Sequence, residues 1–327
     1  QVVLRFPAVL GLSTKANVLP SIAALQKLLG LSFEEVKHVV KKMPSVLGLS
    51  VQANIIPSLA ALKERLDLSK AELRTAVLRF PRLLGYSMEA NVLPSIAALQ
   101  KLLGLSREEV KHVVMHSPSV LGLSIQANVQ PSLAALQKRL GLSGPELKKV
   151  VLSSPSVLGL STKSNILPSL AALQKTLGLS GFELKQVVLR FPGVLGLSTK
   201  ANVLPSIAAL QERLGLSQEE VKHVVKRFPA VLGLSIQNNI LPSLAALQKR
   251  LGLSGFELKQ FVLRYPGVLG LSTRANLLPS IAALQKLLGL SFEEVKHVVS
   301  CITLSRSVGS KHKGQCHQLQ HYRSDWV

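Results

Sequence analysis

The sequence predicts an all-α solenoid, a superhelix wound to the right or left from eight helix-pair repeats. Three observations lead there. Prolines fall at 7, 44, 81, 118, 155, 192, 229 and 266, a spacing of 37 with no slip. A second series at 20, 57, 94, 131, 168, 205, 242 and 279 keeps the same spacing, and only Pro145 stands outside the two. Gln26 to Val40 recurs letter for letter as Gln285 to Val299. Self-similarity at this period marks units that each bury their apolar face against a neighbour.

The first helix of each unit has to accommodate the second proline. With Asn17 as N-cap, Pro20 falls in the first turn, where a missing N–H costs nothing, so the helix is predicted from near Asn17. It runs through Ile22, Leu25 and Leu29 to Gly30, which suits a left-handed C-terminal cap, a role that Asp67 takes in one unit. Ala23 and Ala24 are expected to allow close helix approach. The second helix opens on a Ser-x-x-Glu capping box. Ser32, Ser69, Ser106, Ser143, Ser180, Ser217, Ser254 and Ser291 each have Glu three residues on, and Leu31 and Val36 form a hydrophobic staple around the first of them. Val36, Val39, Val40 and Met43 form its apolar face, and Pro44 stops it. The short Pro-Ser-Val-Leu-Gly segment predicts a turn or 3₁₀ piece whose Val and Leu are buried. The repeat array is read over 1–299. From Ser300 to Val327 the period is lost, and this polar, basic tail is expected to be disordered.

Composition narrows the function. The 327 residues carry 39 Lys+Arg against 17 Asp+Glu, a net charge of +22. Such a surplus asks for a polyanionic partner, while 47% hydrophobic residues exclude a disordered basic tail. The tail holds four bases and one acid, which leaves 35 against 16, or +19, on the repeats. The two cysteines, Cys301 and Cys316, give no disulfide framework and fit a reducing interior. No apolar run reaches the roughly 18 residues of a membrane span, so no membrane partner is expected. The chain opens inside a repeat and no capping repeat closes it. It is therefore expected to be a fragment, or to end in a shifted reading frame, with any targeting peptide upstream.

The segment Arg5 to Glu35 reads Arg-Phe-Pro-x-Val-Leu-Gly-Leu-Ser-x-x-x-Asn-x-Leu-Pro-x-Ile-x-x-Leu-x-x-Leu-Leu-Gly-Leu-Ser-x-x-Glu. It resembles the mitochondrial transcription termination factor (mTERF) family, with the organellar plant and algal members in view, and the likeness runs through all eight units. The resemblance implies a left-handed superhelix that holds double-stranded nucleic acid in a basic concave groove. It also implies residence in a mitochondrion or chloroplast and work with the organellar transcription machinery, in termination or initiation, or in RNA processing or ribosome assembly.

Where the charge recurs is legible as two columns. The first is Arg5, Lys42, Arg79, Arg190, Arg227 and Arg264, two residues before the first proline series, with His116 and Ser153 in the middle units. In a solenoid such a column becomes a stripe matched to a phosphate backbone, although a base in a last turn also offsets the helix dipole. The second is Lys37, Arg74, Lys111, Lys148, Lys185, Lys222, Lys259 and Lys296. It lies about 140° round the helix from the first, on the opposite flank of the polar face, and a solvated lysine beside the cap carboxylates is its alternative reading. Both columns are candidate nucleic-acid contacts, and the resemblance favours the arginines. The gap at His116 and Ser153 predicts a weakly held central stretch. Bases ending the first helices, from Lys27 to Lys286, either line a rim of the same groove or solubilise an outer face.

With 4% aromatic residues, and with Phe6, Phe80, Phe191, Phe228 and Tyr265 at expected core-facing positions, few rings are free to stack on unpaired bases. Phe33 and Phe292 remain as candidate stackers. A duplex held by its phosphates fits better. The histidines His38, His112, His223 and His297 have no acid or thiol at ligand spacing and read as surface residues, and the tail's His312, Cys316, His317 and His321 match no zinc pattern. The asparagine column at 17, 54, 91, 128, 165, 202, 239 and 276 reads as caps. No nucleophile, phosphate loop or other catalytic constellation is present, so a non-enzyme with no metal or cofactor is expected. The expectation is a monomer that binds double-stranded DNA, or structured RNA, to regulate organellar transcription. A protein-binding scaffold of the kind that helical-pair solenoids often provide is the alternative.

Overall fold

A computed structural model describes residues 2–289 together with Ser291 and Glu294; the tail lies outside the described residues. Among the described residues all regular structure is helical, and the 37-residue unit repeats with the same parts in the same order. A representative unit holds the π-turn Thr14–Val18, the helices Leu19–Leu29 and Phe33–Lys42, and the 3₁₀ turn Pro44–Gly48. The protein is an all-α solenoid.

The N-terminal end of the first helix differs from expectation. Ser13, not Asn17, is the cap: its Oγ accepts from Ala16 N at 3.1 Å, and Asn17 Oδ1 accepts from Ser13 N at 3.1 Å. The pattern returns at Ser50 and Asn54, Ser161 and Asn165, Ser198 and Asn202, and Ser235 and Asn239. Asparagine is thus the reciprocal partner of a serine cap. The reason lies in Pro20, which has no N–H and whose ring would strike the carbonyl four residues back. The chain takes a wider register, with Val18 N bonding Ser13 O at 3.2 Å, and the α-helix begins only at Leu19.

The C-terminal caps follow expectation. Gly30 has φ +67°, and Asp67 adopts the same left-handed conformation at φ +49°. A Cβ is unfavourable there, so Asp67→Gly should stabilise the fold by about 0.5–1 kcal/mol, read as a higher urea midpoint. The capping boxes are formed in seven successive second helices, and Ser291 and Glu294 make the same two bonds. Removing one, Ser217→Ala, should cost about 1 kcal/mol in thermal or urea unfolding.

Leu25, Leu29, Val36, Val39, Val46 and Leu47 and their counterparts form the core, so the 3₁₀ turn is buried through its Val and Leu as its sequence predicts. Val40 is only half-buried, and Ala23 and most of its counterparts face solvent, so close helix approach does not depend on them. The serine after the second proline is buried and has a specific task. Ser95 Oγ donates to Leu121 O at 3.3 Å and Ser206 Oγ to Leu232 O at 3.4 Å, each tying a first helix to the 3₁₀ turn of its own repeat.

The rings before the first proline series are not core residues. Phe6, Phe80, Phe191 and Phe228 are half-buried and Tyr265 is 49% exposed. The extended residue that ends each second helix carries the ring sideways to the next repeat. There a Cβ on Gly270 would come within 2.7 Å of Phe228 Cζ, and one on Gly233 within 3.6 Å of Phe191 Cζ. At Gly270 that space is occupied, whereas Gly159, which follows a repeat with Ser117 in place of the ring, meets nothing.

The chain divides into two compact units at the Pro168–Ser169 bond, each a stack of these repeats.

Candidate nucleic-acid interface

The second helix positions both basic columns, and its capping box fixes where each begins. Second-column side chains reach back to the preceding repeat. Lys111 Nζ lies 3.0 Å from Glu72 Oε1 and donates to Asp67 O at 2.9 Å. Lys148 does the same with Glu109 at 2.7 Å and Gly104 O at 2.9 Å. In the C-terminal unit Lys222 pairs with Glu183 at 3.1 Å and Gly178 O at 3.0 Å, and Lys259 with Glu220 at 2.8 Å and Gly215 O at 2.9 Å. Arg74 pairs with Glu35, and Lys37 pairs with Glu34 of its own helix at 3.3 Å. Each of these lysines other than Lys37 therefore closes two open ends at once, a cap carboxylate and the carbonyl of the left-handed C-cap residue. Lys185 is half-buried and also partnered. Lys296 lies outside the described residues.

These pairs act on the glutamates. Glu72, bonded by Ser69 N–H and by Lys111, is lowered from 4.5 to about 2, and Glu183, held by Lys226, Ser180 N–H and Lys222, also falls to about 2. A folded-state pKa below the unfolded one gives stability that is complete above about pH 4.5 and lost as pH falls through about 2. The urea midpoint should therefore hold level down to about pH 5 and drop between there and about pH 2. An unchanged midpoint across that interval would show that these pairs add nothing to stability.

First-column residues behave differently. Arg5, Lys42, Arg79, His116 and Ser153 in the N-terminal unit are all exposed, as are Arg190, Arg227 and Arg264 in the C-terminal unit. Three arginines lie along the end of the next repeat's second helix, where last-turn carbonyls lack partners. Arg5 donates to Lys41 O at 3.2 Å, Arg79 to Met115 O at 2.7 Å and Arg190 to Lys226 O at 2.6 Å. Among the described residues, no first-column cation has a carboxylate within ion-pair distance.

Two features were missed from the sequence. Lys149 is exposed one helical turn before Ser153, so the charge absent at Ser153 is displaced along the same face. A search for columns at one phase could not find it; allowing a four-residue step would have. Lys15, Lys163, Lys200 and Arg274 are exposed in the π-turns, at a phase where other repeats carry Gln or Glu. Phe33 is 64% exposed, and Phe182 and Phe256, at a neighbouring phase, are each 71% exposed. Phe292 lies outside the described residues. No group of three or more His, Cys, Asp or Glu among the described residues could hold a metal, and no helix there is long and apolar enough to cross a membrane. His297 and the tail's histidines and Cys316 lie outside the described residues.

The mTERF family's sequence model matches residues 1–102, 94–212 and 175–305, which spans most of the chain. The chain belongs to the mTERF family. Among curated proteins none matches it. Membership of the mTERF family makes this a helical-repeat protein of a nucleic-acid-binding family.

Proposed function

We propose that the chain binds double-stranded DNA through the first-column cations together with Lys149, and that it regulates organellar transcription by blocking or positioning the polymerase. One observation carries this reading: the exposed first-column cations face no carboxylate, whereas the second column is engaged within the fold. Adjacent helices pack about 8–10 Å apart and one DNA strand carries a phosphate about every 3.4 Å along the axis, so one cation per repeat meets roughly every third phosphate. Phosphate contacts of this kind hold a duplex in register without reading its sequence. Only 4% of residues are aromatic, and the exposed rings Phe33, Phe182 and Phe256 stand at the starts of second helices, away from the first column at their ends, which favours a duplex over unpaired bases. Residence in a mitochondrion or chloroplast, action as a monomer and contact with the transcription machinery belong to the same proposal.

The test is binding to duplex DNA, duplex RNA and single strands of equal length across a salt series. Duplex DNA should bind tightest, with a steep linear fall of log K against log salt. Preference for duplex RNA would move the role to RNA processing, and a flat salt response would leave a protein-binding scaffold.

A further inference from the structure

The stripe's middle repeat carries two histidines, His112 and His116, one turn apart on helix Arg107–His116. Their rings lie 4.1 Å apart, tilted by 36°. His112 Nε2 is 3.0 Å from Leu152 O, and His116 Nδ1 is 2.9 Å from His112 O. A carbonyl can only accept, so each of those nitrogens carries the proton. That leaves His112 Nδ1 and His116 Nε2 as the positions where a further proton can bind. Both side chains are exposed, and His116 occupies the first-column position.

We propose that His112 and His116 form a proton-linked binding site for a nucleic-acid phosphate, which takes up a proton as the duplex docks. This rests on the nucleic-acid reading above. Histidine is the side chain whose charge changes between about pH 5 and 8. In the free protein two imidazolium rings at this separation repel. The charges around them are mostly positive: Arg79, on the preceding second helix, donates to Met115 O beside His116, and the following second helix contributes Lys149. On their own helix Glu108 is exposed one turn before His112, while Glu109 and Lys111 are engaged with Lys148 and Glu72. The 3₁₀ turns Pro118–Gly122 and Pro155–Gly159 bring no titratable group. The first helices packed on this one carry Lys63, Glu64, Arg65 and Lys101, and Arg107, at the opposite end from the histidines, donates to Arg65 O at 3.1 Å. A phosphate docking beside this pair favours the charged imidazolium, so binding draws a proton onto it.

The experiment compares the full chain with His112→Gln/His116→Gln, binding a DNA duplex at several pH values, with calorimetry in two buffers of different ionisation enthalpy. If docking raises one imidazole pKa by one unit above the reference value of about 6.5, the wild type gains about sixfold in affinity from pH 8 to pH 6 through this pair. The double variant should lose that gain and the matching proton uptake, while keeping its melting temperature. His116→Arg should bind with the pair's pH dependence removed and without loss of affinity. Wild-type and double variant with equal pH slopes and equal proton uptake would overturn the proposal while leaving duplex binding intact. Failure of the wild type to bind any nucleic acid would overturn the functional reading and this inference with it.

Discussion

Replacing Arg190, Arg227 and Arg264 together by glutamine should lower duplex affinity on the order of 100- to 1,000-fold near 0.1 M salt. The magnitude follows from counterion release. Each neutralised phosphate contributes about 0.9 to the slope of log K against log salt, so three lost contacts flatten the slope by about 2.7, which at 0.1 M corresponds to a similar number of decades. The fold should survive, because these side chains are exposed and have no carboxylate partner among the described residues. The opposite pattern is expected for Lys222→Gln, which removes the bonds to Glu183 and Gly178 O: lower stability with an unchanged salt slope. Anisotropy titrations across a salt series, set beside urea unfolding, separate the two behaviours. A triple variant that kept the wild-type slope would remove the C-terminal unit's stripe from the interface.

The largest loss of stability from one substitution is expected at Leu136→Ala. Leu136, on helix Gln130–Leu140, is 0% exposed, and the core it joins includes Val129, Leu133 and Leu140. Large-to-small changes of this kind cost about 2–5 kcal/mol, from the lost transfer free energy and the cavity left behind. The exposed neighbour Gln137 should change stability by less than about 0.5 kcal/mol when replaced by alanine. In a solenoid the damage should also stay local, because each repeat leans on its nearest neighbours. Hydrogen exchange should show faster opening of helix Gln130–Leu140 and the repeats beside it. Equal urea midpoints for Leu136→Ala and Gln137→Ala would contradict the burial pattern.

Much of this was legible in the sequence because a repeat states each rule many times. Serine followed three residues later by glutamate is weak evidence once. At a constant period it fixes the start of every second helix, and the structure places the boxes there. The same holds for Gly30 and its counterparts. The start of the first helix was not legible, because Asn17 satisfies the ordinary rule for a cap before a first-turn proline. That the register would widen and move the cap to Ser13 depends on how the ring of Pro20 meets the backbone. The rings before the first proline series were misplaced for a related reason: apolar character says that Phe228 is covered but not by what, and the cover is the glycine turn of the next repeat.

For the interface, periodicity found the cations but could not rank them. Lys42 and Lys111 both belong to recurring columns, the one basic in six units and the other in eight, and what separates those columns is whether a carboxylate of the preceding repeat lies within reach. That contact is between units 39 residues apart and leaves no local trace, as the Lys111 to Glu72 pair illustrates. Lys149 escaped because it conserves position in space and not phase in sequence.

The central claim is that duplex nucleic acid lies against the first-column face of the second helices. Mapping lysine acetylation by mass spectrometry, with and without bound duplex, tests it residue by residue. Lys42 and Lys149 should become protected, while Lys27, Lys63 and Lys101 at the ends of the first helices should react as before. Protection of Lys27, Lys63 and Lys101 with Lys42 and Lys149 unchanged would place the nucleic acid on another surface and contradict the account.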